Sequence, residues 1–410
     1  MASMTADHND PAVRLKPPGV GGKRYSFSGH ALVLHDTSLE EGLERALRHF
    51  DHQRAFVVCS RSLNTRTEVI RRVERCLGPR MVGLTDEVGE HSPLPNVLKG
   101  AMAARDANAD VIVAVGGGSV MDMCKVMQLC ISESVYTREA LLALELSVAA
   151  DAFELSSPAR SAARIRQIAL PTTLATSEWT PVSTPIDPET HLKARFLVPD
   201  GAPQAVVYDP DLLTHTPLSL LLSTGIRGLD HAINSMCSTQ PHPLASILAE
   251  QAVRLYVRGL PRLADADRRQ AAAECQLATW YTGMGQMSVP HGFSHWMVHI
   301  LGPFAGVPHS DAACVLMLAQ ARWLDGWARD EHRRLMAALG QPDRPLHAML
   351  EELLQRLGMP TTLDDLGVSR EQIDAMIAPA LSHPMVTRYN KRPIATGADL
   401  RAILELAWRS

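Results

Sequence analysis

The chain lacks the features that would direct it to a membrane or out of the cell. Its first 20 residues contain acidic residues and prolines instead of a basic start followed by an apolar stretch, which predicts neither a signal peptide nor a membrane span. The seven cysteines are odd in number and include no CxxC pair, a pattern typical of buried, reduced thiols. We therefore expect a cytoplasmic protein.

An excess of charge of either sign is also missing. The 40 basic and 44 acidic residues leave a net charge of −4, and there is no long charge run. Such a balance provides no general attraction toward nucleic acid or anionic lipid. We expect a small-molecule substrate and neither a nucleic-acid nor a membrane partner.

What the sequence does contain, between residues 31 and 208, is an alternation of short apolar runs with amphipathic stretches. Strands that alternate with helices form a parallel sheet covered by helices. The six candidate strands are Ala31–Leu34, Ala55–Cys59, Met81–Leu84, Val111–Val115, Gln167–Leu170 and Ala205–Tyr208. Long Ala- and Leu-rich segments follow and predict helices. We predict a tail over residues 1–24, an α/β domain over 25–210 and an all-helical domain over 211–410.

A glycine loop, Gly116-Gly117-Gly118-Ser119, follows the fourth candidate strand and precedes a predicted helix. Glycines let the backbone approach a phosphate closely, and the first N–H groups of a helix attract negative charge. Ser119 and Asp122 also fit a capping box that would start the helix at Ser119. The spacing is neither GxGxxG nor a P-loop. Alone, the loop is as compatible with a tight turn that binds nothing as with a phosphate site.

A hydroxyl-rich segment, Pro171-Thr172-Thr173 through Ser177-Glu178, follows the fifth candidate strand. In open α/β sheets ligands bind beyond the C-terminal ends of the strands, within reach of such hydroxyls. A Ser/Thr-rich loop by itself more often bonds its own backbone. Together with the glycine loop, it favours a dinucleotide site.

Histidines are concentrated in the helical half. His291, His295 and His299 are spaced i, i+4 and i+8, which predicts three imidazoles on one helix face, about 6 Å apart along the axis. His309 and His231 lie on neighbouring segments. A single helix-face histidine is usually structural, but histidines that converge from several helices form metal or proton-transfer sites.

In combination these motifs resemble the iron-containing (group III) alcohol dehydrogenase superfamily, from about Tyr25 to the C-terminus. Residues 116–125 are similar to its GGGSxxDxxK loop and residues 171–178 to its PTT…SE loop. The resemblance implies a dehydroquinate synthase-like fold, with a Rossmann-like α/β domain before an all-α domain, a homodimer, and NAD(H) or NADP(H) as cofactor. The implied cofactor-binding residues are Gly117, Gly118, Ser119, Asp122, Thr172, Thr173, Ser177, Lys193, Ser60 and His91.

Metal-dependent members of this superfamily hold iron or zinc with an Asp and three His. His231, His295 and His309 match the histidines, the last two separated by 309 − 295 = 14 residues, and His299 matches a histidine near the nicotinamide. The Asp position is occupied by Arg227, whose charge would repel a divalent cation. Three neutral imidazoles can hold zinc without it. Both alternatives stay open, and the arginine favours a site without metal.

Maleylacetate reductases resemble the chain further, in the short PTTxxxSE loop, in a histidine like His91 and in a residue other than Asp at position 227. The resemblance implies metal-independent reduction of a small anionic carbonyl compound or unsaturated keto acid. We expect Arg227 to bind a substrate carboxylate, to face the developing oxyanion, or to form only an ion pair with Asp230. His231, His295 and His309 would donate hydrogen bonds to the substrate, and His299 would relay a proton.

The turn after the second candidate strand, Ser60-Arg61-Ser62, lacks the acidic residue that would hold a ribose 2′-OH. NADP(H) is therefore compatible with the sequence, although Arg61 is equally compatible with a solvated surface position. Two other functions remain open: a metal-dependent alcohol dehydrogenase of the same fold, and a non-catalytic nucleotide-binding relative, against which the retained histidines argue. A dehydroquinate synthase-like lyase would need more basic residues around His295.

Overall fold

The computed structural model describes residues 31–148, 155, 156, 158, 159, 161–265 and 268–408. The predicted N-terminal tail, residues 1–24, lies outside this part of the chain. The described residues divide into two compact units. The first contains residues 31–171 and 177–208, and the second contains residues 172–176 and 209–408.

The first unit is built on a six-stranded parallel sheet. Its strands are β1 (Leu32–His35), β2 (Ala55–Cys59), β3 (Met81–Thr85), β4 (Val111–Gly116), β5 (Arg166–Pro171) and β6 (Ala205–Tyr208). Their order in the sheet is β1-β6-β5-β4-β2-β3. All six predicted strands are confirmed, with ends shifted by at most one residue. β2 and β4 are buried along their whole length, as expected of a parallel sheet that helices cover on both faces.

The order of the strands has one functional consequence. From β2 the chain proceeds outward to the edge strand β3, and from β4 it proceeds in the opposite direction to β5. The C-terminal ends of β2 and β4 therefore flank the point where the strand order reverses, which is where open α/β sheets bind ligands. Residue 60 follows β2 and residue 117 follows β4.

Helices connect the strands of the first unit. They are α1 (Leu39–His49), α2 (Arg61–Arg66), α3 (Val69–Leu77), α4 (Leu94–Asp106), α5 (Gly118–Glu133) and α6 (Arg138–Leu142). α1 shows how the sequence defines such a helix. The Ser38 hydroxyl caps it by accepting from the Glu41 N–H, acidic residues lie in its first turn and basic residues in its last, and Leu39, Leu43 and Leu47 are buried on one face.

Short elements complete the first unit. Two-residue antiparallel ribbons pair Ser147–Val148 with Leu155–Ser156, Val182–Ser183 with Phe196–Leu197, and Ile186–Asp187 with Leu192–Lys193. Single 3₁₀ turns lie at Gly78–Arg80 and Ser177–Trp179.

The second unit contains helices and no strand in the part of it that the structure describes. Its 3₁₀ turns are Pro210–His215, Leu260–Ala264 and Asp364–Leu366, and its helices are α7 (Leu218–Met236), α8 (Pro243–Gly259), α9 (Arg268–Gln286), α10 (Phe293–Ala305), α11 (His309–Trp323), α12 (Arg329–Ala338), α13 (Leu346–Arg356), α14 (Arg370–Ser382), α15 (Pro384–Arg388) and α16 (Gly397–Glu405). One apolar core joins these helices. The predicted class, an α/β unit with a parallel sheet and an all-helical unit, is confirmed.

Two further expectations concern the whole chain. All seven cysteines are free thiols, six of them buried and Cys76 half-buried. Among the described residues, no helix is both long and apolar enough to cross a lipid bilayer.

Gly116 is the position at which the end of β4 requires glycine. Its φ is +156°, and a Cβ added there would lie 2.5 Å from Val120 Cγ2. We expect Gly116→Ala to lower the free energy of unfolding by about 1–3 kcal/mol, because the methyl group overpacks a buried turn. Urea unfolding measures this change.

Gly340→Ala is the matched control. Gly340 also has a positive φ, of 74°, but no atom lies within 4 Å of the added Cβ, so this variant reports the backbone cost alone. If Gly116→Ala proved no less stable than the native chain, the assignment of a steric constraint at the turn would be wrong.

Candidate active site

The glycine loop of the first unit leaves the start of α5 open. β4 ends at Gly116, Gly117 adopts an extended conformation at the N-cap, and no side chain caps the helix. The predicted capping box of Ser119 and Asp122 is wrong, because the helix begins one residue earlier, at Gly118. The first N–H groups of a helix have no intrahelical partner. Without a capping side chain, they are available to a phosphate, and the loop fits a dinucleotide.

Asp122 and Ser177 lie together on a buried lysine. The Lys125 side chain is 0 % exposed. Its ammonium group donates to Asp122 Oδ1 (3.0 Å), Ser177 Oγ (3.1 Å) and the Val182 carbonyl oxygen (3.1 Å), and the Ser177 hydroxyl donates to Asp122 Oδ1 (2.7 Å). All three ammonium hydrogens are therefore used within the first unit. The lysine joins α5 to the segment that follows β5, and so positions two of the predicted cofactor-binding residues.

His91 and Lys193 approach the same helix start. The Ser92 hydroxyl donates to the Ser119 carbonyl oxygen (2.6 Å), and the Ile186 N–H donates to the His91 carbonyl oxygen (2.9 Å). His91 and Ser92 both have positive φ, at 56° and 51°. Such backbone strain is common at functional sites, although Asp36, Asp51 and Asn108 of this chain have a positive φ in ordinary turns. Burial lowers the pKa of His91, and the Lys193 charge lowers it further.

Ser60 lies at the end of β2, beside the glycine loop. β2 and β4 are neighbours in register, with Cys59 opposite Val115. The Ser60 side chain caps α2 by accepting from the Leu63 N–H (3.4 Å). Thr172 and Thr173, in contrast, belong to the second unit, where both are buried and the Thr172 carbonyl oxygen accepts from the Thr216 hydroxyl (2.7 Å).

Five imidazoles form a continuous row in the second unit. From one end, His291 and His231 have ring centres 5.5 Å apart, His231 and His295 5.0 Å, His295 and His299 5.8 Å, and His299 and His309 4.8 Å. His291 also lies 4.6 Å from His295. The predicted position of His291 on the helix face is wrong: α10 begins at Phe293, after an extended Gly292. The four histidines expected at the site do lie together, and His291 joins them.

Arg227 lies in the centre of this row. One terminal nitrogen of its guanidinium donates to Asp230 Oδ2 (2.7 Å), and the other lies 3.1 Å from His295 Nδ1. The ion pair expected as one alternative is therefore present, with Asp230 fully buried. Burial lowers the pKa of Arg227 and raises the pKa of Asp230, but the opposite charge of each partner counteracts both shifts. We regard both groups as charged, because an arginine keeps its proton in proteins and the opposite charge of each partner offsets the cost of burial.

Asp230 in turn belongs to a hydrogen-bonded frame around the start of α10. Its second oxygen accepts from the Ser294 hydroxyl (2.6 Å) and from the Asn234 amide (2.9 Å). The three N–H groups that begin α10 donate to side-chain amide oxygens on other segments: Gly292 to Asn234 (3.0 Å), Phe293 to Asn390 (2.8 Å) and Ser294 to Gln320 (2.7 Å). The frame therefore fixes the helix on which His295 and His299 lie.

His231 is oriented by a second pair of residues. Its Nδ1 lies 3.3 Å from the Thr176 hydroxyl, which donates to Gln286 Oε1 (3.2 Å), while the Gln286 amide donates to the Thr176 carbonyl oxygen (3.3 Å). The other ring nitrogen, Nε2, is buried and has no hydrogen-bond partner among the described residues.

Three imidazoles of the row, those of His231, His291 and His295, are uncharged at neutral pH. Burial, followed by the charge of Arg227, lowers the pKa of His231 and of His295 well below the usual value and lowers the pKa of His291 to about 3. The charged groups beside these imidazoles are Arg227 and Asp230.

These residues do not fit a divalent metal ion. Ligand atoms of Asp230, His231 and His295 do lie within 4.8 Å of one another. The Asp230 carboxylate is, however, paired with Arg227, and the same guanidinium donates to His295 Nδ1. A cation would have to displace a buried positive charge that is held at both ends.

The chain matches known families along almost its whole length. It matches the family profile described as iron-containing alcohol dehydrogenase over residues 31–210, and the C-terminal profile of the same family over residues 221–408. With this family match and its reductase relatives, the parallel sheet with a glycine loop and the helical unit with clustered histidines belong to a nucleotide-dependent oxidoreductase. The chain belongs to the iron-containing alcohol dehydrogenase family.

A curated relative agrees with this assignment, and solved structures share the fold. Maleylacetate reductase 2 of Cupriavidus pinatubonensis is 30 % identical over 334 residues, which cover 78 % of this chain and 80 % of the relative. The crystal structure of maleylacetate reductase from Rhizobium sp. strain MTP-10005 is similar with a TM-score of 0.78 at 23 % identity, over 94 % of this chain and 98 % of that one. Sulfoacetaldehyde reductase from Bifidobacterium kashiwanohense, in complex with NAD⁺, gives a TM-score of 0.81 at 21 % identity, over 94 % and 99 %.

Burial of imidazoles makes the stability of the protein depend on pH. In the folded chain the pKa is about 3 for His291 and about 4 for His332, against an ordinary value of 6.5. Below pH 6.5 the unfolded chain binds protons that the folded chain does not. The free energy of unfolding is therefore highest above pH 6.5, and each such histidine lowers it by about 1.4 kcal/mol per pH unit until the folded pKa is reached. Urea unfolding between pH 7 and pH 5 measures this slope.

His332→Gln provides the control, because His332 lies on α12, outside the imidazole row, and glutamine does not titrate. In this variant the free energy of unfolding should change less steeply with pH, by about 1.4 kcal/mol per pH unit, which is the contribution of one histidine. An unchanged slope would mean that His332 is protonated in the folded chain.

Proposed function

We propose that the protein reduces a small anionic carbonyl compound or unsaturated keto acid with NADH or NADPH, and that it does so without a metal ion. Maleylacetate reductases are among its relatives at 24–30 % identity. The open helix start at Gly118 and the loop before it support binding of the nucleotide phosphates by the first unit. Lys193 adds positive charge near Asp122 and His91.

The observation on which the metal-free proposal depends is the position of Arg227. Metal-dependent members of the family have an aspartate ligand where this chain has a guanidinium. The guanidinium bonds Asp230 and His295, which are two of the three residues that could otherwise hold an ion. A positive charge that belongs to the chain takes the place of one supplied by a metal.

The chemistry follows from what each unit provides. The reduced nucleotide, when bound, supplies a hydride. Negative charge then develops on the substrate oxygen, and preorganised hydrogen-bond donors in a buried setting stabilise it. In the second unit, imidazoles of the row provide such donors, and we propose His299, an exposed member of the row, as the proton relay. We further propose that the protein is cytoplasmic and that it forms a homodimer. Sedimentation velocity tests the homodimer.

Replacing Arg227 by aspartate should create a metal site. The variant would present a carboxylate beside His231, His295 and His309, the ligand set of metal-dependent members, and a divalent cation would compensate the added negative charge. We expect the purified variant to hold close to one equivalent of zinc or iron by mass spectrometry, and to bind keto-acid substrates more weakly.

Arg227→Asn removes the guanidinium without adding a carboxylate and is the matched control. The proposal expects the native protein to oxidise NAD(P)H in the presence of maleylacetate or related keto acids, and to keep this activity after treatment with a chelator. Stoichiometric metal in the native protein, together with activity lost on chelation and restored by the metal, would instead indicate the metal-dependent alcohol dehydrogenase.

The turn after β2, Ser60-Arg61-Ser62, predicts that the protein uses NADPH as well as NADH, because none of its residues carries a carboxylate that would repel a 2′-phosphate. Ser60→Asp should raise the KM for NADPH at least tenfold and change the KM for NADH much less. Aspartate is as good a helix N-cap as serine, so the start of α2 should be preserved.

Ser60→Asn is the control, since asparagine also caps α2 but has no charge. If Ser60→Asp and Ser60→Asn changed the two KM values equally, the effect would be steric and the electrostatic explanation would fail.

A further inference from the structure

We propose that His295 polarises the substrate carbonyl as a neutral imidazole that donates from Nε2, and that Arg227 is the positioning residue that holds it in this form. The inference rests on the proposed function and deepens it, because it names the donor in the substrate site. Arg227 would then act through His295, without touching the substrate.

The hydrogen bond between the two residues determines the form of the imidazole. A guanidinium has five N–H donors and no acceptor. Since one of its nitrogens lies 3.1 Å from His295 Nδ1, that ring nitrogen must accept, and its lone pair must be free of a proton. The imidazole is therefore neutral, and its single N–H is at Nε2.

The guanidinium is held on both sides, so the arrangement does not depend on a mobile side chain. Its other terminal nitrogen donates to Asp230, which also accepts from Ser294 and Asn234. The nitrogen next to His295 Nδ1 lies 3.4 Å from the His295 carbonyl oxygen as well. Donation to Nδ1 draws electron density from the ring and strengthens Nε2–H as a donor, since hydrogen bonds in a chain polarise one another.

His231 has the opposite polarity, which explains why it cannot provide this donor. The Thr176 hydroxyl gives its hydrogen to Gln286 Oε1, so it must accept from His231 Nδ1. Nε2 of His231 then has a lone pair, and it lacks a partner among the described residues. The ring centres of the two histidines are 5.0 Å apart. A carbonyl oxygen can only accept a hydrogen bond, so its partner would be Nε2–H of His295. A hydroxyl group could bond both histidines, because it can accept from Nε2–H of His295 and donate to Nε2 of His231.

This polarity matches the needs of hydride addition. Whether the hydride adds to the carbonyl carbon or to a carbon conjugated with it, the C=O π electrons move onto the oxygen. A hydrogen bond from Nε2–H stabilises that charge, and its hydrogen stays on nitrogen during the step. A neutral imidazole is effective in this role because it is an uncharged donor and needs no ionisation at neutral pH.

The first test observes the position of the hydrogen directly. In protein with ¹⁵N-labelled histidine, two-bond ¹⁵N–¹H correlation spectra distinguish the Nδ1–H, Nε2–H and doubly protonated forms, and loss of one pattern in His295→Gln assigns His295. We expect Nε2–H at pH 7. The double variant Arg227→Met/Asp230→Asn removes the ion pair without leaving a buried unpaired charge, and it should yield a mixture of both neutral forms.

Arg71→Met is the matched control, because Arg71 pairs with Glu68, also three residues away, on the surface of the first unit. Its spectrum should equal that of the native protein. An Nδ1–H or doubly protonated His295 in the native protein, or a pattern that the double variant leaves unchanged, would overturn the proposal.

The second test measures catalysis. His295→Phe should lower kcat about 10²- to 10³-fold, the usual effect of removing one oxyanion donor, with little change in KM. His295→Gln keeps an N–H near the position of Nε2 and should retain more activity than His295→Phe. A kcat of His295→Phe within threefold of the native value would contradict the assignment. If the native protein reduced no keto acid at all, the proposed function would fail, while the spectra would still decide the form of His295.

Discussion

The buried contact of Arg227 with Asp230 and His295 is the interaction on which the second unit's site depends. A pair of opposite charges inside a protein is stable only when hydrogen bonds satisfy both groups. Here the carboxylate accepts from Arg227, Ser294 and Asn234, and the guanidinium donates to a carboxylate and an imidazole. Burial, together with the charge of the arginine, keeps His231, His291 and His295 neutral, so these imidazoles can act as donors and acceptors of defined polarity.

The two units reach their sites by different physical means. In the first unit, the proposed phosphate site consists of backbone groups: a glycine with positive φ, an extended N-cap residue and the uncapped start of α5. Side chains such as Lys125 act behind that surface, where they hold its parts together. In the second unit, side chains themselves form the site, and a frame of amides and hydroxyls orients them. A nucleotide phosphate needs many N–H groups, whereas a small substrate needs a few donors in fixed directions.

Much of the fold could be predicted from the sequence, because the signals were local. Each strand is a short apolar run, and the hydrophobic pattern alone determined its ends to within one residue. The site was predicted less completely. The spacing of His291 suggested that it lies on the same helix face as His295, but the helix begins only at Phe293, after the extended Gly292. Ser119 resembled a cap, yet glycine occupies the cap position. Thr176 and Gln286 are 110 residues apart, and no spacing rule brings them to His231. The Arg227–Asp230 pair was visible as an i, i+3 alternative, but its contact with His295 required tertiary structure.

The way α10 begins has an electrostatic consequence. Its first N–H groups are satisfied by uncharged amides, and no acidic residue lies in its first turn. The aligned peptide dipoles therefore keep their positive end, equivalent to about half an elementary charge, in the turn that contains His295. Asp230, which bonds Ser294 in this turn, is already paired with Arg227. Besides the charge of Arg227, the backbone itself thus contributes to the potential at His295, and this contribution is one that pH cannot titrate and a chelator cannot remove.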